Sequence, residues 1–561
     1  MNSKKFLRIL SVLAVSAVLL SGTLFWKQEA ESREGMHDIL VSEENSFHAG
    51  DLSLSLSNRS GAPIYYTTDG SVPTLESELY TGPLRFTASE NVSSCVIRAR
   101  SFDPATGDWG VLFTHTYFYA KEESAFEKRF STYIVCVTSD PYNLYDHEYG
   151  ILTEGKVREE YQNSENYDPE LLTQPANFTQ RGRAWERDAH IEILTAGGER
   201  VVDQEAGIRV FGHASRQSYR KSLKLYAREE YGKNVFDYPL FPDNVSLDTD
   251  QVQSSYERLV LRNHGTDRAV TLFREELFQT LCAQIEGIDH KSFAPAAVYL
   301  NGEYYNFEWI QEVYDDRYME ENYGVSGSGY YEVVTSGGGG EEEAEELTRE
   351  EQKAEEDHQV LRGYGEKDLL NERTFSELCE LVDIENLLQY FAIEIYIANW
   401  DWPQNNVKLY RYYAPNGVYG TGRQDGRWRY LYYDMEAGFN LYDDAPEDLR
   451  SIQDVLEGNS LFCAIMKRPD MQERFAYYME RCIHEYFTEE RVERAVEALR
   501  LVRDGELSES IAYKKSQDAS YVLTMEDIEE NIQVIYEFVR NRPEEIRAQM
   551  EALFGIRLED I

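Results

Sequence analysis

The segment Ile384–Ala398 limits what this chain can become more than any other. Leu387, Leu388, Tyr390, Phe391, Ile393, Ile395, Tyr396 and Ile397 leave it almost no polar side. A helix that is apolar all round has to be buried inside a sizeable unit. It stops at Asn399, and a polar loop, Trp400-Asp401-Trp402-Pro403-Gln404-Asn405-Asn406, follows at once. Val407–Tyr412 then reads as a strand. A second strand, Trp428–Tyr433, runs directly into Asp434-Met435-Glu436.

That order suits phosphoryl transfer. The reaction needs a carboxylate at the attacking hydroxyl and oxygen ligands that hold Mg²⁺ against the phosphates. Protein kinases place an Asp in the catalytic loop and a metal-binding Asn five residues later. A second metal-binding Asp follows the next strand pair. Asp401, Asn406 and Asp434 keep this spacing. Either pair alone would be a common turn pattern. The sequence of buried helix, loop, strand pair and acidic end is the informative part.

The rest of the chain supports a globular, exported protein. With 42% hydrophobic residues, its 561 residues are enough for several packed domains. The formal charge of −45 argues against nucleic acid and against adhesion of the folded part to anionic membrane. Lys4, Lys5 and Arg8 precede an apolar run from Ile9 to Trp26, so residues 1–30 read as a signal peptide or signal-anchor helix. No cysteine follows to carry a lipid, and no clean small-x-small cleavage site precedes Lys27. The expectation is a single-pass membrane protein with its bulk outside, or a secreted one, touching the membrane only through this helix. Cys95, Cys136, Cys282, Cys379, Cys463 and Cys482 form no C-x-x-C pair or zinc spacing and read as free thiols, with one disulfide left open.

Short alternating strands at Leu52–Leu56, Ile64–Thr67, Val96–Ala99 and Phe113–Tyr119 predict a small all-β sandwich over residues 37–120. Residues 126–555 read as one α+β unit. Strand patterns run to about residue 226, followed by a helix at 268–286, a hairpin near 295–313 and helices later. Strands first and helices later imply two lobes. The acidic, Gly-rich stretch 336–357 reads as a solvated loop insertion.

A nucleotide would need further groups. Lys221 and Lys224 fall on a strand expected at 219–226 and would take opposite faces, with Lys221 preferred. Gly212 and Ser215 precede that strand, where a glycine lets backbone approach phosphates. On the helix after Asp267, Arg274 projects from the middle of an apolar stripe, and Glu275 and Glu276 point away from it. Arg274 is therefore expected on ATP phosphates or a metal-site carboxylate. Glu312 closes a strand in the position of a nucleotide hinge. His213 and His264 lie in neighbouring loops without metal spacing.

Two family resemblances extend these readings. Ile64-Tyr-Tyr-Thr-Thr-Asp-Gly-Ser-Val-Pro-Thr74, with Ser77, Tyr80 and Ile97-Arg-Ala-Arg100, resembles the C-terminal module of chitobiase and hexosaminidase enzymes. That implies a spacer, or a module placed near carbohydrate. Asn399-Trp-Asp401 through Asn406, and Trp428–Phe439, resemble the signature of the CotH kinase family. So do Phe211-Gly-x-x-Ser-Arg216, Lys221-Ser-Leu-Lys-Leu225 and Val298–Tyr304 through Glu312. The resemblance extends to the terminal helix with Arg540 and Arg542. It implies an atypical protein-kinase fold and ATP with Mg²⁺ or Mn²⁺. It also implies phosphorylation of Ser/Thr on cell-surface or spore-coat proteins. Asp401 would be catalytic, with Asn406, Asp434 and Glu436 on the metal. Glu436 departs from the usual second Asp, and its extra methylene matters for octahedral Mg²⁺. Two other readings stay open: a catalytically weak surface or coat binding protein, and a transferase of AMP on the same fold.

Overall fold

The computed structural model describes residues 37–336 and 347–558. The leader helix expected over residues 1–30 lies outside them. Among the described residues, no helix is long and apolar enough to cross a membrane. The chain divides into two compact units.

The first unit is the expected small β structure. Phe113–Ala120 pairs antiparallel with Ser93–Asp103 and parallel with Phe47–Ala49. Ser93–Asp103 also pairs with Ile64–Thr67, and a separate pair joins Leu52–Leu54 to Leu84–Phe86. Alternation sends Leu52, Leu54, Ile64, Ile97, Ala99 and Tyr117 into a shared core between these layers. At the Asp69-Gly70 turn, the Asp69 carboxylate accepts from the Ser71 N–H and hydroxyl at 2.9 and 2.6 Å. That is a structural role.

The second unit begins with a closed barrel. Its strands are β1 (Tyr133–Thr138), β2 (Arg187–Leu194), β3 (Arg200–Val210), β4 (Leu223–Tyr226), β5 (Arg258–Arg262), β6 (Phe293–Leu300) and β7 (Glu303–Gln311). They close in the order β1-β2-β3-β4-β5-β7-β6. Parallel pairing of β1 with β6, Tyr133 opposite Ala296, completes the ring. Closure removes the sheet edges. Leu223, Leu225, Leu259 and Leu261 fill the interior. The alternate residues Lys224, Val260 and Arg262 therefore take the outer face. The expected strand at 219–226 starts only at Leu223, because Arg216–Ser218 and Lys221 are engaged in a loop.

The helix expected at 268–286 is shorter, α1 (Arg274–Cys282). Asp267 explains the late start. Its carboxylate accepts from the N–H groups of Thr271, Phe273 and Arg274 at 2.8, 2.8 and 2.9 Å, capping the helix from seven residues upstream. The insertion is also different in its second half. Residues 337–346 lie outside the described residues, but α2 (Arg349–Arg362) is helical, with a capping box between Thr348 and Glu351. Ala354, His358 and Leu361 are buried along it. Asp357 ties it to Arg411 and Tyr413, both at 3.1 Å.

The segment Ile384–Tyr396 forms α3, buried as its composition requires. Three strands, β8 (Tyr330–Ser336), β9 (Val407–Tyr413) and β10 (Arg429–Leu431), pair antiparallel beside it. Two long helices, α4 (Glu489–Gln517) and α5 (Met525–Phe554), close the unit. The cysteines are free, and Cys136, Cys282 and Cys482 are buried.

Candidate catalytic site

The loop after α3 is held from several sides. Arg542 of α5 donates to the carbonyls of Tyr396 and Ile395 at 3.0 and 2.7 Å and to Arg450 O at 2.6 Å. Helix ends leave carbonyls short of partners; this guanidinium supplies Tyr396 O and reinforces Ile395 O, which also accepts from Ala398 N at 3.1 Å. Arg450 in turn donates to Trp400 O. Asn399 is fully buried and donates to the Glu394 carboxyl at 3.0 Å. Trp402 packs its ring on Tyr390 and Phe391. Ala398 and Asn406 adopt left-handed backbone, φ 55° and 59°, a strain that packing has to hold.

These restraints leave Asp401 half-buried, with its carboxylate accepting from Asn405 Nδ2 and Asn406 Nδ2, both at 2.9 Å. Burial lifts its pKa above the ordinary range, and the nearby charge of Asp434 adds to that. The two amides and His213 oppose the rise. Asp401 and Asp434, 33 residues apart in sequence, therefore come close enough for the charge of one to act on the other. Because Asn406 uses Nδ2 on Asp401, its Oδ1 is the atom left for a cation.

Asp434 follows β10 in left-handed backbone, φ 62°, and begins a single turn that carries Glu436. Asp434 Oδ1 and Glu436 Oε2 both lie 2.5 Å from the same nitrogen, Arg262 Nη2 at the end of β5. Glu436 is buried, and its other oxygen accepts from Thr266 N at 2.6 Å. Gly265, at φ +51°, presents its Cα to this carboxylate, where any Cβ would collide with it. Arg262 is buried, yet the charges of Glu436, Asp434 and Glu275 hold its pKa well above the usual value. Glu275 accepts from Met435 N at 2.6 Å and pairs with Lys291 at 2.7 Å.

The other sequence candidates divide. Lys224 lies on the outer barrel face in a cleft it shares with Arg181, Arg209, Arg216 and Phe211. Its Nζ is 3.5 Å from Asp315, which Arg258 also pairs at 2.7 Å. Lys221, the preferred choice, does not face this cleft. Its Nζ donates to the carbonyls of Arg216 and Ser218 at 2.9 and 3.0 Å and sits over the Phe178 ring, bracing the β3–β4 loop. Gly212 and Ser215 belong to that loop. Gly212 has φ +97°, and its carbonyl accepts from Arg216 Nε at 2.5 Å.

Arg274 pairs with neither Asp434 nor Glu436; the carboxylate it approaches is Asp267, at 3.5 Å. The arginine is fully buried and donates to Gly438 O and Phe439 O at 3.1 and 2.7 Å, fixing the chain that leaves Glu436. Glu275 and Glu276, expected to point away, are both buried. Glu276 accepts from Gln311 at 2.5 Å. The helix is short and enters beneath the site, so its first turn is interior on every side. The Glu312 side chain is held within the protein: Asn244, Asn322 and Ser292 N donate to its carboxylate at 2.9, 3.2 and 2.8 Å. His264 is buried and neutral, its Nε2 donating to Phe307 O at 3.1 Å. Burial drops its pKa to about 3.

Sequence reasoning missed Arg262, Glu275 and Lys291. Arg262 left one signal, a charge closing the apolar strand Leu259-Val-Leu. Among the described residues, no three Asp, Glu, His or Cys side chains are grouped to hold a metal ion. Mg²⁺ needs less than such a cage. It takes one or two carboxylates, keeps waters and shares substrate phosphates. Asp434 and Asn406 Oδ1 are hard oxygen donors of that kind, and they fit.

The sequence model of one family, CotH kinase protein, matches residues 208–546, more than half of the chain. A second, the chitobiase/beta-hexosaminidase C-terminal domain, matches residues 44–110. No curated protein matches the chain.

Proposed function

Because the chain belongs to the CotH kinase family, we propose that it transfers the γ-phosphate of ATP to Ser or Thr hydroxyls of proteins at the cell surface or spore coat. The observation that carries this reading is Asn406 bonded to Asp401 at 2.9 Å, with Asp434 near enough for its charge to act on Asp401.

Each residue then has a task. Asp401 accepts the hydrogen bond of the substrate hydroxyl and takes its proton as the oxygen attacks. The P–O bond to ADP breaks as the new one forms, so ADP leaves with the electron pair. Asp434 and Asn406 would hold Mg²⁺ or Mn²⁺, which supplies charge neutralisation on the phosphates when bound. Lys224 offers a cation on the first-lobe side. Beside it, Phe211, Val260 and Val313 form a small apolar cluster suited to a base. The catalytic loop needs no rebuilding, because Asn399, Trp402 and Arg542 already fix it.

The export-type leader makes a membrane-anchored or secreted location part of the proposal, with the β unit near carbohydrate. The test is incubation with Mg²⁺ and γ-labelled ATP beside an Asp401→Ala form. Label on phosphoserine or phosphothreonine only in the unmodified protein supports the proposal. Label from the α-phosphate alone would replace it with AMP transfer.

A further inference from the structure

Arg262 occupies an unusual position. One nitrogen, Nη2, is shared by two carboxylates at 2.5 Å each, from Asp434 and Glu436. Its Nε is buried and has no hydrogen-bond partner among the described residues. A buried donor left unmade costs free energy, so an arginine held this firmly with an idle Nε calls for an acceptor. Guanidinium groups and phosphate oxygens match in charge and geometry.

Glu436 explains how the arginine is kept there. Its longer side chain brings Oε1 to Thr266 N at 2.6 Å while Oε2 reaches Arg262. Gly265 closes the third side, where a Cβ would collide with the carboxylate. Both oxygens of Glu436 are therefore engaged by protein, and the group is 4% exposed. A metal ligand needs a free oxygen lone pair and room for the ion. Asp434 keeps both: it is half-buried, and only Oδ1 faces Arg262.

We propose that Arg262 is a built-in cation of the nucleotide site, contacting a phosphate through Nε, and that Glu436 anchors it instead of ligating a metal ion. The site then takes one divalent ion, on Asp434 and Asn406, where Arg262 replaces a second. This rests on the kinase reading and gives that site its charge arrangement.

The test is Mn²⁺ titration of the full chain with a non-hydrolysable ATP analogue, AMP-PNP, reading free Mn²⁺ by electron paramagnetic resonance. The expected result is one ion per chain. Arg262→Ala should take up a second ion between the freed carboxylates and lose at least tenfold in AMP-PNP affinity at low Mn²⁺. Glu436→Gln keeps the volume and the acceptor for Thr266. It should still bind one ion with unchanged affinity while weakening AMP-PNP, and it serves if the alanine form does not fold. Two ions on the unmodified chain would overturn this assignment alone. So would a tenfold loss of Mn²⁺ affinity in Glu436→Gln. A chain that binds no AMP-PNP with any divalent ion overturns the kinase reading and this assignment together.

Discussion

Arg542 lies on the last long helix, far in sequence from the catalytic loop, yet it should be among the costliest side chains to remove. It is 1% exposed and donates to three carbonyls, two at the end of α3 and one at Arg450. Its ion pair with Glu545, at 2.9 Å, involves a carboxylate 21% exposed, so water recovers part of that loss. Each buried carbonyl left unmade costs about 1–3 kcal/mol. Ile395 O keeps the Ala398 N–H at 3.1 Å, so Tyr396 O and Arg450 O bear most of the loss. Arg542→Ala should therefore destabilise the unit by about 3–5 kcal/mol, within the range for breaking a buried charged cluster. Domains have about 5–15 kcal/mol in total, so the variant should fold but melt early. Arg542→Lys should recover about 1–2 kcal/mol, because a point ammonium cannot span all three carbonyls. Urea unfolding followed by tryptophan fluorescence gives the stability. Steady-state kinetics should show kcat down by about 10²-fold with KM for ATP nearly unchanged, as misplacement of the loop by about an ångström implies. A stability loss under about 1 kcal/mol in the alanine form would refute the reasoning.

Other perturbations separate neighbouring roles. Lys224→Met should weaken ATP binding about tenfold by calorimetry, whereas Lys221→Met should leave it unchanged and lower the melting temperature, since only Lys224 lines the cleft. Gly265→Ala should cost about 2–4 kcal/mol in urea unfolding, combining left-handed backbone strain with displacement of the Glu436 carboxylate. His190 in β2 sits 3.0 Å from Asp203 and 2.8 Å from Glu205. Burial works against its charge, but these carboxylates push its pKa up to about 9 from 6.5. The folded value is the higher one, so this contribution, about 3 kcal/mol, is full below pH 6.5 and lost as pH rises through 9. His190→Gln should flatten the stability profile across that window.

Much of the fold was legible where the pattern was local. The all-apolar α3 had no alternative to burial, and the loop and strands after it followed from composition and turn residues. Asp401, Asn406 and Asp434 were found because their order along the chain mirrors their chemistry. Barrel closure was not legible, since it depends on Tyr133 pairing with Ala296 across a long separation. The helical half of the insertion was hidden by its acidic composition, although Thr348 and Glu351 spell a capping box. Arg274 was misread because helical periodicity reports a face and not what that face meets. Here it meets the carbonyls of Gly438 and Phe439. Arg262 was passed over because its partners come from a segment about 170 residues later.

The central claim is that Asp401 and Asp434 do different work on one nucleotide. Calorimetric titration with Mg-ATP, run beside phosphate transfer, separates them in Asp401→Asn and Asp434→Asn forms. Asp401→Asn should bind Mg-ATP as the unmodified chain does and transfer at least about 10²-fold more slowly, the usual scale for losing a general base. Asp434→Asn should lose the Mg²⁺-dependent part of binding and transfer with it. Transfer by Asp401→Asn at the unmodified rate would contradict the account.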